Sequence, residues 1–210
     1  MSINTHHAQL SSNPLVVLET PRKEPRRYTL AQYLRREERS KELNEYYDGI
    51  ITKLPVKNGP HNEMITNIGT AIKLSSKATN PEYRVRIARQ IVYLPELNFS
   101  LYPDVLVVSE TPQYFDNNQV LLTNPVVIVE VLSKSTKKYD RTTKFDEYKT
   151  LDSFREYVLI DQKKCHVKTH YREEPGLWRE TDYKDINAVL FLKSLNCSVA
   201  LMDIYDNIVF

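Results

Sequence analysis

Four glycines, at positions 49, 59, 69 and 176, are too few and too scattered to write a P-loop or a GxGxxG turn, which excludes phosphate cradling by a glycine-rich loop. The GxSxG elbow is missing too, and with it the usual serine-hydrolase arrangement. The two cysteines, Cys165 and Cys197, have no CxxC spacing and no supporting histidine pattern. That argues against a zinc site and against a disulfide framework and leaves them as buried thiols. The longest apolar runs, residues 15–18 and 125–129, fall far short of the ~20 residues that span a bilayer. No basic stretch followed by an apolar core stands near Met1, so no secretory signal is expected. The expectation is a cytoplasmic chain with no membrane segment and no nucleotide cofactor. Net charge is only +2, which neither demands nor excludes a nucleic-acid partner; what matters is where the cations cluster.

What is present is 210 residues, 41% hydrophobic and 27% charged, enough for one well-cored domain. Residues 1–27 are polar, carry Pro14, Pro21 and Pro25, and hold Arg22, Lys23, Arg26 and Arg27; they read as a flexible basic tail before a single domain over 28–210. Thr29 is placed to cap an amphipathic helix with Leu30, Tyr33 and Leu34 at helical spacing. Asp48-Gly49 is the turn dipeptide of a hairpin, with Glu45 on its first strand. A second helix runs from His61 with Met64, Ile65, Ile68 and Ile72 on one face and ends before Asn80-Pro81. YRVRIARQIVYLP alternates apolar residues with Arg84, Arg86 and Arg89, as one strand with a wet face. YPDVLVVS and NPVVIVEVL read as central strands, KKYDRTTKFDEYKTLD as a helix, and REYVLID, KKCHVKTHYRE and WRETDYKDINAVLFLKSL as further strands. The pattern is mixed α/β, with helices packed on a central sheet.

One strand raises a question. VVIVEVLSKST places Glu130 among apolar residues, and strand alternation puts it on the face of Ile128 and Leu132, with Val127, Val129 and Val131 opposite. An ionised carboxylate in such a strand must be paired, protonated or bound to metal. Asp104 opens the strand DVLVVS after Pro103, and two acids at the ends of neighbouring strands can converge on one hard cation.

Pro103-Asp104 followed by Glu130 in a strand resembles the PD-(D/E)xK nuclease superfamily. The wider context is YPDVLVVS, PVVIVEVLSKST, a helix with Asp140, Lys144 and Tyr148, and REYVLID, with NEYYDG and GPHNE upstream. It is similar, over roughly residues 28–195, to the putative restriction endonuclease family of that superfamily. The resemblance implies a restriction endonuclease-like fold, a mixed central β-sheet flanked by helices. It further implies a DNA endonuclease using Mg²⁺ or Mn²⁺, with Asp104 and Glu130 as catalytic metal ligands, the Val131 carbonyl beside them and Glu45 as a further ligand. His61 and Asp140 with Tyr148 are its auxiliary residues. Where the superfamily carries a lysine two residues after the glutamate, this chain has Leu132. Lys144, at i+4 from Asp140 with Tyr148 at i+8, is the candidate replacement; an ordinary solvated Asp–Lys helix pair is the alternative.

Lys134, Lys137, Lys138 and Arg141 crowd with Lys144 after the presumed metal strand, and are candidate DNA-phosphate contacts with Arg84, Arg86 and Arg89. A homodimer is expected, since two strands need two cuts. His166 and His170 are read as structural, because a four-residue spacing suits a metal only on a helix. Two other readings stay open: an inactive DNA-binding or assembly module on the same fold, favoured by Leu132, and a structural domain in which Glu130 pairs with Arg84 or Arg86.

Overall fold

A computed structural model describes residues 26–109 and 111–210. The expected tail lies outside the described residues except for Arg26 and Arg27, and Arg27 is tied down by donating to the Asp48 carbonyl at 2.9 Å.

Helix α1 (Leu30–Arg39) starts where Thr29 predicts. The Thr29 hydroxyl accepts from Gln32 N at 3.2 Å, and the Gln32 side chain accepts from Thr29 N at 2.9 Å, a reciprocal capping box. Its buried Tyr33 stacks on Tyr46. Thr29→Ala is therefore expected to lower stability by about 1 kcal/mol in urea denaturation, with an unchanged slope. Strands β1 (Asn44–Tyr47) and β2 (Ile50–Lys53) form the hairpin, with Asp48 at φ 41° and Gly49 at φ 99°, the backbone a primed turn requires.

Helix α2 (Gly59–Thr79) begins two residues before the predicted start. The Asn58 side chain accepts from His61 N, and Pro60 sits in the first turn, where its missing N–H is not needed. YRVRIARQIVYLP is not one strand. It forms β3 (Arg84–Ile87) and β4 (Ile91–Leu94), in different sheets, because Ala88 and Arg89 turn left-handed at φ 51° and 59°. Strands β5 (Phe99–Leu101), β6 (Val105–Val108), β7 (Leu121–Leu122) and β8 (Pro125–Leu132) follow. The charged segment after β8 makes two short helices, α3 (Lys137–Arg141) and α4 (Thr143–Tyr148), broken at Thr142, where φ is −130° and ψ −89°. The remainder is β9 (Glu156–Asp161), β10 (Val167–Glu174), β11 (Leu177–Tyr183), β12 (Val189–Leu192), β13 (Cys197–Ala200) and α5 (Leu201–Ile204).

The central sheet has the order β11-β10-β9-β8-β6-β3. Among its neighbouring strands only β8 and β9 pair in parallel, and a parallel pair needs a crossover, which α3 and α4 supply. A second sheet, β2-β1-β5-β4-β7, was not distinguished in the sequence. Strand alternation on β8 separates two of the three clusters of the core. Val127, Val129 and Val131 join Met64, Ile68 and Ile72 of α2 with the β12–β13 hairpin and α5. Ile128 and Leu132 join Val92, Leu94 and Leu101 of the second sheet and Phe145 and Tyr148 of α4. Glu130 thus projects into the layer between the central sheet and α4. His170 is buried against Phe145 and Tyr157, a packing role that matches the reading from its spacing.

Candidate active site

Val105 is registered opposite Val129 on the antiparallel β6–β8 pair, so Asp104 and Glu130 meet at one end of two central strands. A cavity of about 110 Å³ opens there, lined among others by Lys57, His61, Asp104, Glu130, Asp140 and Lys144. Its walls are tied to the strands that frame it. Asp104 Oδ2 accepts from Val131 N at 2.8 Å, which ties the carboxylate to the strand that bears Glu130. Lys57 pairs with the other oxygen of Asp104.

Lys144 is the centre of the second half of the site. Although α3 and α4 are separate, its Nζ lies 2.9 Å from Glu130 Oε1, 3.4 Å from Glu45 Oε1 and 3.9 Å from Asp140 Oδ1. It also donates to the Tyr102 carbonyl at 3.5 Å, and its side chain is 5% exposed. This is no solvated helix pair. Burial alone would lower the lysine pKa, but the charges of Glu130 and Glu45 outweigh it and hold the ammonium well above its usual value of 10.5. Burial raises Glu130 from 4.5 to about 7, against the pull of Lys144 and with Asp140 adding to the rise. Burial likewise raises Asp140, with Lys144 opposing. The Tyr148 hydroxyl, 3.4 Å from Glu130 Oε1, lies against the same carboxylate.

Glu45 stands behind Lys144 and does not line the cavity. Its Oε1 accepts from Tyr102 N at 3.0 Å and its Oε2 from the Tyr47 hydroxyl, which contacts Tyr139, whose own hydroxyl donates to Glu147. Its position suits orienting the ammonium rather than holding a cation in the cavity.

Two features bear on whether a cation fits. His61 is buried and burial, with Lys57 second, lowers its pKa to about 4, so the ring is neutral. Its Nε2 lies 3.3 Å from Asp104 Oδ2 yet makes no hydrogen bond, an unsatisfied buried atom at the cavity wall. The second feature is charge. Four carboxyl groups, Glu45, Asp104, Glu130 and Asp140, surround two ammonium groups, Lys57 and Lys144, and burial raises the pKa of Glu130 and Asp140, so a divalent cation would favour their ionised forms. Among the described residues no group of three or more His, Cys, Asp or Glu side chains is placed to hold a metal ion. Asp104 and Glu130 are the two cavity carboxylates that could contact a hard cation, which takes carboxylate oxygens and keeps its remaining positions for water.

The basic cluster after β8 divides. Lys137 pairs with Asp161 at 2.8 Å and Arg141 lies 3.7 Å from the same carboxylate, while Lys134 and Lys138 are exposed. Arg84 and Arg86 do not pair with Glu130: Arg84 is exposed and Arg86 donates to the Tyr114 hydroxyl at 3.1 Å. Lys57 is the site residue the sequence reading missed. It lies in the loop LPVKNGP, where only the fold brings it to Asp104, 47 positions on.

A mixed sheet flanked by helices, with acids at the ends of its central strands, is the restriction endonuclease-like architecture. A crystal structure described as "a putative nuclease belonging to DUF820" from Anabaena variabilis ATCC 29413 superposes with a TM-score of 0.68 at 16% identity, over 87% of this chain and 99% of that one. Residues 30–201 match the family Uma2, described as "Putative restriction endonuclease", and the chain belongs to that family. The uncharacterized protein sll1609 of Synechocystis sp. (strain ATCC 27184 / PCC 6803 / Kazusa) is 34% identical over 145 residues, 69% of this chain and 80% of that protein. A second protein of that strain, slr1290, is 27% identical over 179 residues, 85% of this chain and 92% of its own. No helix among the described residues is long and apolar enough to cross a membrane.

Proposed function

We propose that this chain is a metal-dependent DNA endonuclease that hydrolyses phosphodiester bonds, with Asp104, Glu130 and Lys144 as its catalytic residues. The observation that carries the reading is the approach of Lys144 Nζ to Glu130, 2.9 Å, at the wall of the cavity that Asp104 shares. It supplies, from α4, the ammonium that Leu132 cannot. Asp104 and Glu130, with the Val131 carbonyl, are the groups that would hold Mg²⁺ or Mn²⁺. Bound there, such an ion supplies Lewis acidity toward a phosphate oxygen and makes water a better nucleophile at neutral pH.

The chain's own residues do the positioning. Lys144 stays charged and offsets the negative charge that builds on the phosphate, in a site where little water screens it. Tyr148 and Lys144 fix the Glu130 carboxylate, Val131 N fixes Asp104, and Asp140 and Glu45 fix Lys144. His61 presents its unsatisfied Nε2 as one further contact for water or phosphate. Lys134 and Lys138 are exposed beside the site and suit the DNA backbone. Cutting both strands would take two copies of the chain.

The test is nicking of supercoiled plasmid by the purified protein with Mg²⁺, Mn²⁺ or a chelator. Cleavage is expected with either ion, none with chelator, and a loss of about 10²-fold or more in Asp104→Asn. Wild type that stays inert with every ion and DNA form would leave the inactive DNA-binding or assembly module as the reading.

A further inference from the structure

A second body of positive charge lies outside the catalytic cavity. Over residues 26–41 six basic side chains stand against two acidic ones. The packing of α1 sorts them. Tyr33 goes into the core, and Glu37 turns toward β1, accepting from Asn44 N at 3.0 Å and from the Tyr102 hydroxyl at 3.0 Å. Arg35, Arg36 and Arg39 are left exposed. Arg26 and Arg36 lie over the Tyr28 ring, 5.1 and 5.7 Å from its centroid, a contact that orders guanidinium groups without neutralising them. Arg27 is spent on Asp48 at 3.6 Å, whereas Arg26, Arg35, Arg36 and Arg39 line an open concavity.

Between that concavity and the catalytic cavity lie two depressions that share wall residues in series. The loop from Leu54 to Lys57 walls both the cavity and a groove that reaches Arg89. Arg89 and Arg35 wall the next depression together with Glu37 and Glu38, and Arg35 also walls the arginine concavity. The exposed Arg89 therefore sits between the site and α1. Lys137 and Arg141, by contrast, are drawn to Asp161, which weakens the charge after β8.

We infer that the arginine face of α1, reached over Arg89, is a docking surface for the DNA backbone beside the scissile phosphate. The inference rests on the endonuclease reading. DNA is the occupant that the charge favours: the exposed guanidinium groups of Arg35, Arg36, Arg39 and Arg89 outnumber the one exposed carboxylate of α1, Glu38, and a planar fork binds a phosphate in two places. Contacts of this kind position the duplex and carry no base preference.

The test measures binding of a labelled DNA duplex to full-length Glu130→Gln protein at several salt concentrations, with and without Arg35→Ala, Arg36→Ala and Arg39→Ala together. The slope of log affinity against log salt is expected to fall by about 2 to 3, at roughly 0.9 per phosphate contact, and affinity at low salt by at least about tenfold. Thermal unfolding of the triple variant controls for folding, and these side chains are exposed. A duplex that binds with steep salt dependence and is indifferent to the three arginines would overturn this inference and leave the endonuclease reading standing. So would an RNA duplex that binds through them when DNA does not. Wild type that neither binds nor cuts DNA would overturn both.

Discussion

Lys144→Met is expected to lower the stability of the fold by about 3–5 kcal/mol and to abolish metal-dependent cleavage. Methionine keeps most of the apolar stem and removes only the ammonium, so packing loss stays small. What remains is Glu130, Glu45 and Asp140 facing one another with the cation that all three approach gone. Carboxylates buried together cannot all stay ionised, and each answer, taking up protons or opening the layer to water, costs free energy. The partner experiment is the double variant Lys144→Met with Glu130→Gln. It removes one of the stranded charges and is expected to recover part of the lost stability but none of the cleavage. Urea denaturation reads the first quantity and plasmid nicking the second. A Lys144→Met protein as stable as wild type would show that water already reaches these carboxylates. One that still cuts would remove Lys144 from the chemistry.

The residues at the heart of this prediction differ in how readable they were. Period-2 alternation across 126–132 was enough to put Glu130 on the face of Ile128 and Leu132, because a strand buried on both sides leaves its side chains no other choice. Thr29, Asp48-Gly49 and Asn80-Pro81 marked element ends by local chemistry alone. The break between β3 and β4 was not legible. Apolar and polar residues keep alternating through it, and neither Ala88 nor Arg89 is a residue type that announces a left-handed turn. The second sheet was hidden for the same reason, since β4 had been merged with β3.

The site shows the same divide. Asp140 and Lys144 were visible as an i, i+4 pair, but the helix carrying them breaks at Thr142, and only tertiary packing keeps them within reach of Glu130. Glu45 was found as an acid on the right strand, yet its distance from the cavity depends on how two sheets stack, which spacing does not encode. Lys57 carried no local mark at all. The basic cluster over 134–141 looked uniform until Asp161, at the end of β9, drew in Lys137 and Arg141. Charge runs state how many cations exist; a distant acid decides which are available.

Leu132→Lys tests whether a strand-borne lysine can stand in for Lys144 and is expected to act in opposite directions in two backgrounds. In the wild type, the new ammonium enters a layer that Ile128, Leu132 and Phe145 fill and stands near a lysine that already serves Glu130. The loss of leucine packing and the crowding of like charge are expected to cost about 2–3 kcal/mol. In Lys144→Met the same substitution supplies a cation to a carboxylate that has lost its own. Position 132 lies on the Glu130 face, two residues along the strand, or about 6–7 Å, within the span of a lysine stem. Leu132→Lys should then raise stability relative to Lys144→Met alone and return measurable nicking. The comparison needs both proteins measured side by side by denaturation and plasmid nicking. Recovery of both quantities would mean that the site requires an ammonium beside Glu130 and is indifferent to which element delivers it. Recovery of stability without nicking would assign Lys144 a geometric role that a strand-borne lysine cannot fill, since α4 approaches the carboxylate from above the sheet while residue 132 approaches along it. Recovery of neither would mean that the leucine is needed where it is, as part of the apolar layer that holds α4, and with it Lys144, against the central strands.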